Sequence, residues 1–339
     1  MEKVLVTGSE GFIGGYIVKE LLNKGYEVIG IDNLSKYGKI IRNHSDNDKY
    51  TLHKGDVKDN DLFLNLLKEC DYLIAGAAMI GGISYFHDFA YDLLSENEKI
   101  ISSTTDAAIE CQAEYKLKRT IFLSSSMVFE STNRFPTKEE DLFSIPPPES
   151  SYGFQKLSVE YFARAANLQY GLEYSIARPF NCVGIGEIKS LNSTESSNEK
   201  KLTLSHVVPD LITKALEGKE YIEILGKGNQ IRHYTYGEDL AEGIVLLLKH
   251  PNAKNNDFNL STDESTNVLE LAELIWKKTR EKDKFVVKNI EAFKYDVQKR
   301  IPSTVKAKSL LGFQAKTSLD KMLDIVIPWI KEATKLGYY

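Results

Sequence analysis

Apolar runs and helical segments alternate through the first 180 residues, and this rhythm constrains the fold more than any other feature. Residues 3–7 ("KVLVT"), 27–32 ("EVIGID"), 50–56 ("YTLHKGD"), 71–78 ("DYLIAGAA"), 119–126 ("RTIFLSSS") and 172–180 ("LEYSIARPF") read as strands. Between them, residues 12–24, 61–70, 91–112 and 151–169 carry apolar side chains at helical spacing. Such alternation predicts an α/β chain with a doubly wound parallel sheet covered on both faces. Ligands of these sheets bind at the carboxyl ends of the strands. Gly8, Asp32, Asp56, Ala77 and Ser125 all fall at such ends.

The first of these ends is rich in glycine. "TGSEGFIG" places Gly8, Gly11 and Gly14 between a strand and the start of a helix. Glycine is conformationally costly, so three in one turn imply a sharp bend or a backbone that approaches a ligand. A helix N-terminus presents free N–H groups and the positive end of a dipole, which suit a phosphate. Asp32 closes the second strand, where a carboxylate accepts hydrogen bonds from both hydroxyls of an adenosine ribose. The same carboxylate repels a 2′-phosphate. The expected cofactor is therefore NAD rather than NADP, on a Rossmann-type sheet.

Composition excludes several alternatives. The chain has 339 residues, of which 42% are hydrophobic and 27% charged, in the range of soluble globular proteins. A net charge of −5 offers no general attraction to nucleic acid or to acidic membranes. No apolar stretch is long enough to span a bilayer, and the first apolar run is already the first strand, not a signal peptide. Cys70, Cys111 and Cys182 are odd in number and lack metal-site spacing, so a reduced cytoplasmic protein without a bound metal is expected.

The rhythm breaks after residue 180. Residues 187–204 are polar and rich in Ser, Asn and Lys, which reads as a mobile surface loop. Shorter segments follow, ending in a helix around 318–335. The expectation is two domains: 1–180, which holds the dinucleotide and is joined by a returning segment near 234–262, and a smaller α/β domain over 181–339. A small molecule would sit between them.

"SSYGFQK" places Tyr152 and Lys156 four residues apart at the start of a helix, on one face. A tyrosine is a poor base at neutral pH, with a pKa near ~10. A nearby ammonium and a helix N-terminus both favour its phenolate. Taken alone, the spacing fits a surface pair better. Here it follows "FLSSS", the end of a strand in a chain read as binding NAD.

At this point the chain resembles the extended short-chain dehydrogenase/reductase family, specifically its nucleotide-sugar epimerases and dehydratases. The resemblance covers essentially the whole chain. "TGSEGFIG", "GDV" at 55–57, "SSSMVF", "YGFQK", "RPFNCVGIGE", "LGKGNQIRHYTYGEDLA" and "DVQKRIPSTVKAKSLLGF" follow the family's motifs in order. It implies that Tyr152 takes the proton of a sugar hydroxyl, typically at C4, while hydride leaves for the nicotinamide. Lys156 would hold the nicotinamide ribose and lower the Tyr152 pKa, and Ser125 would hydrogen-bond the reacting oxygen. Gly8, Gly11, Phe12, Ile13, Gly14, Asp32, Asn33, Asp56, Val57 and Ala77 would complete the NAD site.

The nucleotide-diphosphate sugar would meet Gly81, Gly82, Asn97, Ser126, Asn181, His206, Val207, Arg232 and Arg300. Asn181 would touch the diphosphate, and Arg232 and Arg300 would neutralise it, since the planar fork of arginine suits phosphate oxygens. Surface salt bridges are the plainer reading of the two arginines. His206 heads "HVVPDLI", which is similar to an acid-bearing segment of GDP-fucose synthase. A capping or packing histidine reads equally well.

Departures from the family narrow the reaction. Ser126 and Met127 stand where the 4,6-dehydratases carry Asp-Glu, so elimination of water is not expected. Met127 also replaces the Glu of the decarboxylases and the Cys of the 3,5-epimerases. "AAMIGGISYFH", however, resembles the glycine loop of GDP-fucose synthase and GDP-mannose 3,5-epimerase, and His87 or Lys189 are candidate replacements for the missing acid. Val183, Ile185 and His233 replace the family's Tyr, Pro and Asp. The simplest reaction left is an NAD-dependent 4-epimerization serving carbohydrate biosynthesis. A GDP-sugar 3,5-epimerase, a 4-keto reductase and an NAD-binding regulatory protein are the alternatives. The helices at 91–112 and 151–169 resemble the pair that forms a family homodimer, with Leu157, Tyr161 and Phe162 near the seam.

Overall fold

The computed structural model describes residues 1–38, 42–80, 89–188, 206–291 and 297–337. Along the chain run β1 (Lys3–Thr7), α1 (Phe12–Asn23), β2 (Glu27–Asp32), β3 (Tyr50–Lys54), α2 (Asn60–Leu67), β4 (Tyr72–Ala75), α3 (Ala90–Glu114), β5 (Arg119–Leu123), α4 (Ser151–Tyr170) and β6 (Tyr174–Pro179). Then follow β7 (Cys182–Val183), α5 (Val207–Leu216), β8 (Ile222–Leu225), β9 (Ile231–Arg232), β10 (Thr235–Tyr236), α6 (Gly237–Leu246) and β11 (Asn256–Leu260). The chain ends with β12 (Thr266–Asn267), α7 (Val268–Thr279), β13 (Val287–Ile290), α8 (Val305–Leu311) and α9 (Leu319–Lys335).

Seven of these strands form one sheet in the order β11-β6-β5-β4-β1-β2-β3. Every neighbouring pair in it is parallel. The alternation of side chains along each strand builds two cores. Val4 and Val6 of β1 face a cluster with Ile17 and Leu21 of α1 and Ile244 of α6. Leu5 faces the other way, into a cluster with Phe63 of α2, Ala108 of α3 and Ala163 of α4. The sheet is thus doubly wound, with helices on both faces.

The strand order reverses between β1 and β4, and this switch point opens a crevice at the strands' carboxyl ends. Thr7, the last residue of β1, bridges it: its Oγ1 accepts from the N–H groups of Gly76 at 3.0 Å and Ala77 at 2.9 Å. β11 adds to the edge of the sheet beside β6, and α6 packs on α1, so the chain returns to the first unit after leaving it.

A third core lies apart. Leu211 and Ile212 of α5, Leu271 and Ile275 of α7, and Met322 and Val326 of α9 pack with Ile222 and Ile224 of β8. Apolar residues recur on one face of each helix, which is why they close on each other. β8 pairs with β13 to support this smaller C-terminal domain. Among the described residues, no helix is long and apolar enough to cross a membrane.

Candidate active site

The glycine turn is built tightly. Gly8 has φ +71°, and a Cβ there would come 3.0 Å from Ala77 Cα across the switch point. A Cβ on Gly14 would lie 2.0 Å from Gly8 O, inside any van der Waals contact. α1 therefore starts directly beneath β1. Its N-cap is Gly11 and no side chain caps it, so the N–H groups of the first turn are open to an anion. Asp32 stands at the end of β2. Its Oδ2 accepts from Glu10 N at 3.0 Å and its Oδ1 from Leu34 N at 2.7 Å. Burial pushes its carboxyl above the usual range against those two bonds.

The turn opens into a cavity of about 990 Å³. Gly8, Gly11, Phe12, Ile13, Gly14, Asp32, Asn33, Asp56, Val57 and Ala77 line one arm. Ser125, Ser126, Tyr152 and Lys156 line the middle. Asn181, His206, Val207, Arg232 and Arg300 line a second arm, toward the C-terminal domain. The first arm fits a dinucleotide by its own chemistry: an uncapped helix end for a pyrophosphate and a carboxylate for a ribose.

β5 ends at Leu123, so the serines stand beyond it, and Ser126–Phe129 coil into a 3-10 turn. Ser125 Oγ accepts from Met127 N at 3.2 Å, which leaves its hydrogen to donate. The N-cap of α4 is Ser150, whose Oγ accepts from Gly153 N at 3.0 Å and donates to Glu130 Oε2 at 2.8 Å. This anchored first turn carries Tyr152. Ser125, Tyr152 and Lys156 are all buried.

Lys156 Nζ donates to Leu123 O at 3.0 Å, and burial pulls its amine down to about 8. Burial pushes the Tyr152 phenol above its ordinary value, while a hydrogen bond with Ser125 and the charge of Arg300 pull it back. The charge that pulls the Tyr152 phenol back is that of Arg300.

Two residues have partners that the sequence does not indicate. Asn97 does not line the cavity. It is buried, and it spends both ends of its amide on Met79, accepting from its N–H at 2.7 Å and donating to its carbonyl at 2.9 Å. It braces the backbone that leads from β4. Glu187, read as part of a mobile surface loop, is buried because His206 pairs with it, Nδ1 to Oε1 at 2.5 Å. Burial acts to raise the Glu187 carboxyl, but His206 and Lys36 hold it below the usual range. Gly81, Gly82, His87 and Lys189 lie outside the described residues.

Sequence reasoning did not single out Lys36, Asp210, Lys214 or Glu223, all of which line the cavity. Among the described residues, no group of three or more His, Cys, Asp or Glu side chains is placed to hold a metal ion.

The comparisons point one way. A UDP-glucose 4-epimerase of Halalkalibacterium halodurans is 29% identical over 97% of this chain and 96% of its own length. A GDP-L-fucose synthase of Sinorhizobium fredii is 27% identical over 94% of this chain and 92% of its own. The crystal structure of a Thermotoga maritima UDP-glucose 4-epimerase with UDP-glucose superposes with a TM-score of 0.82 at 27% identity, covering 98% of this chain and 99% of that one. The family model of the NAD dependent epimerase/dehydratases matches residues 4–261. Because that match runs from the strand before the glycine turn to the strand that completes the sheet, the chain belongs to the NAD dependent epimerase/dehydratase family.

Proposed function

We propose that the protein is a nucleotide-sugar epimerase that uses NAD and inverts C4 of its sugar through a transient 4-keto sugar. One observation carries the reading: Ser125, Tyr152 and Lys156 stand in one cavity between the glycine turn and an arm lined by two arginines. Bound NAD supplies the acceptor and donor of hydride. The Tyr152 phenolate accepts the proton of the C4 hydroxyl and returns it after the sugar has turned. The Ser125 hydroxyl donates to the same oxygen. Lys156 holds the cofactor's nicotinamide ribose.

Arg232, Arg300 and the α5 N-terminus hold the diphosphate, so the sugar rotates about a fixed anchor. α5 begins behind His206, which offers no side-chain cap, so the N–H groups of Val207 and Val208 are available to an anion. Met127 has no exchangeable proton, which argues against chemistry at C3 or C5.

The test is NMR of the product after incubation with NAD and a panel of nucleotide sugars in deuterated water. Inversion at C4 with the carbon-bound hydrogen retained is expected. Solvent deuterium at C3 or C5 would overturn the C4 assignment. It would favour the second reading, a GDP-sugar 3,5-epimerase, which rests on the His206–Glu187 pair at the cavity and on the GDP-L-fucose synthase relative; reduction of an added 4-keto sugar by reduced cofactor would favour a 4-keto reductase instead.

We also infer a domain boundary at residue 180 with a return over 234–262, supported by the place of β11 in the sheet. The cytoplasm is the compartment we propose, on the strength of three free thiols. Two copies pair through α3 and α4, which pack together and leave Tyr91, Phe154, Tyr161 and Leu168 exposed.

A further inference from the structure

The C-terminal domain lines the cavity with both apolar and charged side chains. Leu211 of α5, Ile224 of β8 and Val268 of α7 belong to one apolar cluster and line the cavity. Asp210 and Lys214 of α5 and Glu223 of β8 line it too. Lys214 Nζ donates to Asp210 Oδ2 at 2.7 Å, and Lys288 donates to Glu223 Oε1 at 3.2 Å. Asp210 Oδ1 and Glu223 Oε2 accept no hydrogen bond among the described residues. The two carboxylates are near neighbours: burial pushes the Asp210 carboxyl up, Lys214 opposes it, and the charges of Glu217 and Glu223 add to the rise.

This inference rests on the nucleotide-sugar reading above. With the sugar at Tyr152 and the diphosphate at Arg232 and Arg300, the base falls to these C-terminal-domain residues of the cavity. We propose that the base is guanine, recognised along one edge by Lys214, Asp210 and Glu223.

Guanine presents one acceptor, O6, followed by two donors, N1–H and the 2-amino group. Lys214 supplies spare donors, and Asp210 Oδ1 and Glu223 Oε2 supply two unused acceptors. Hydrogen bonds to charged partners are the stronger kind. Uracil and thymine present a single donor between two carbonyls, so one carbonyl would face a carboxylate. Cytosine offers one amino donor beside two acceptors. Each leaves a desolvated oxygen without a donor, the arrangement by which sites reject analogues.

The measurement is calorimetric titration of the NAD-loaded protein with GDP, UDP, dTDP and CDP. GDP is expected to bind tighter than the other three by about tenfold or more. Glu223→Ala and Asp210→Asn should each narrow the GDP-to-UDP ratio, chiefly by weakening GDP. UDP or dTDP binding as tightly as GDP would overturn the guanine assignment and leave the nucleotide-sugar reading intact. Failure of all four at millimolar concentration would overturn that reading and the assignment with it. The wild-type ratio needs no variant, so a misfolded substitution does not remove the test.

Discussion

Arg178 and Glu160 meet through two hydrogen bonds of 2.6 Å, Nε to Oε1 and Nη2 to Oε2, and both side chains are fully buried. Ser124 Oγ donates to the same Glu160 Oε1 at 2.7 Å. Glu160 lies one turn beyond Lys156 on α4, so the pair fixes how that helix presents Tyr152 and Lys156. Glu160→Ala leaves a buried guanidinium with less than its share of negative charge. It should cost about 3–5 kcal/mol in denaturant unfolding. Glu160→Leu combined with Arg178→Met should cost less than Glu160→Ala alone, because no charge is stranded. A single substitution costing under about 1 kcal/mol would contradict this account.

Asp257 completes the cluster, with Oδ2 2.5 Å from Arg178 Nη2 and Oδ1 3.1 Å from Lys306 Nζ. Burial raises its carboxyl, but Arg178, Lys306 and Arg164 outweigh burial and hold it at about 2. An unfolded aspartate titrates near ~3.9. The folded pKa is the lower one, so this stabilisation is present above pH ~4 and is lost as pH falls from about 4 to about 2. Its size is on the order of 2 kcal/mol. Asp257→Asn should lower stability at pH 7 and flatten the acid limb. Urea midpoints at pH 7 and pH 3 that fall equally in both proteins would refute it.

The catalytic assignment makes a kinetic prediction. Tyr152→Phe should reduce turnover by about 10²–10⁴-fold while NAD and nucleotide-sugar binding persist. Arg300→Leu acts differently. It removes the charge that lowers the Tyr152 phenol, so the phenol pKa rises. The active form is the phenolate, so the ascending limb of kcat/KM should move to higher pH, and KM should rise with the lost diphosphate contact. An unmoved limb would show that Arg300 does not tune the base.

What the sequence reveals and what it hides follow from range. Strand and helix periodicity, the glycine turn and the four-residue spacing of Tyr152 and Lys156 are local patterns, so they were legible. The partners of polar residues were not. Arg178 finds Glu160 on the preceding helix and Asp257 far along the chain, and no local pattern encodes either meeting. Glu187 lies in a polar stretch and reads as exposed, yet His206 draws it inside. Asp210 and Lys214 sit on the polar face of α5. Periodicity identifies that face but not that it turns to a cavity instead of water.

The proposed homodimer has its own consequence. Leu157 and Phe162 are half-buried against core clusters of the same chain, whereas Tyr161 and Leu168 are 61% and 89% exposed on α4. Those two, not Leu157 or Phe162, are the side chains to change. Tyr161→Asp with Leu168→Asp should convert a dimer to a monomer in light scattering at micromolar concentration, with the fold retained by circular dichroism. A wild-type protein that already runs as a monomer would remove the pairing of α3 and α4.

Asp32 is the residue we propose sets the cofactor preference. Each of its carboxylate oxygens already accepts one backbone N–H and keeps a further lone pair for a ribose hydroxyl. A 2′-phosphate would bring negative charge against the same group. Arg42 stands close behind, its Nη2 2.5 Å from Glu10 O, and its charge reaches Asp32. Asp32→Ala should therefore weaken NAD by about 10–100-fold, the worth of a lost hydrogen bond to a charged group. NADP should weaken less, or tighten, because Arg42 is no longer opposed by Asp32. The same change frees the N–H groups of Glu10 and Leu34, so the melting temperature should fall in the absence of cofactor and recover partly with saturating NAD. Fluorescence titration with NADH and NADPH reads the preference directly. A wild-type protein that binds NADPH as tightly as NADH would take Asp32 out of the ribose site.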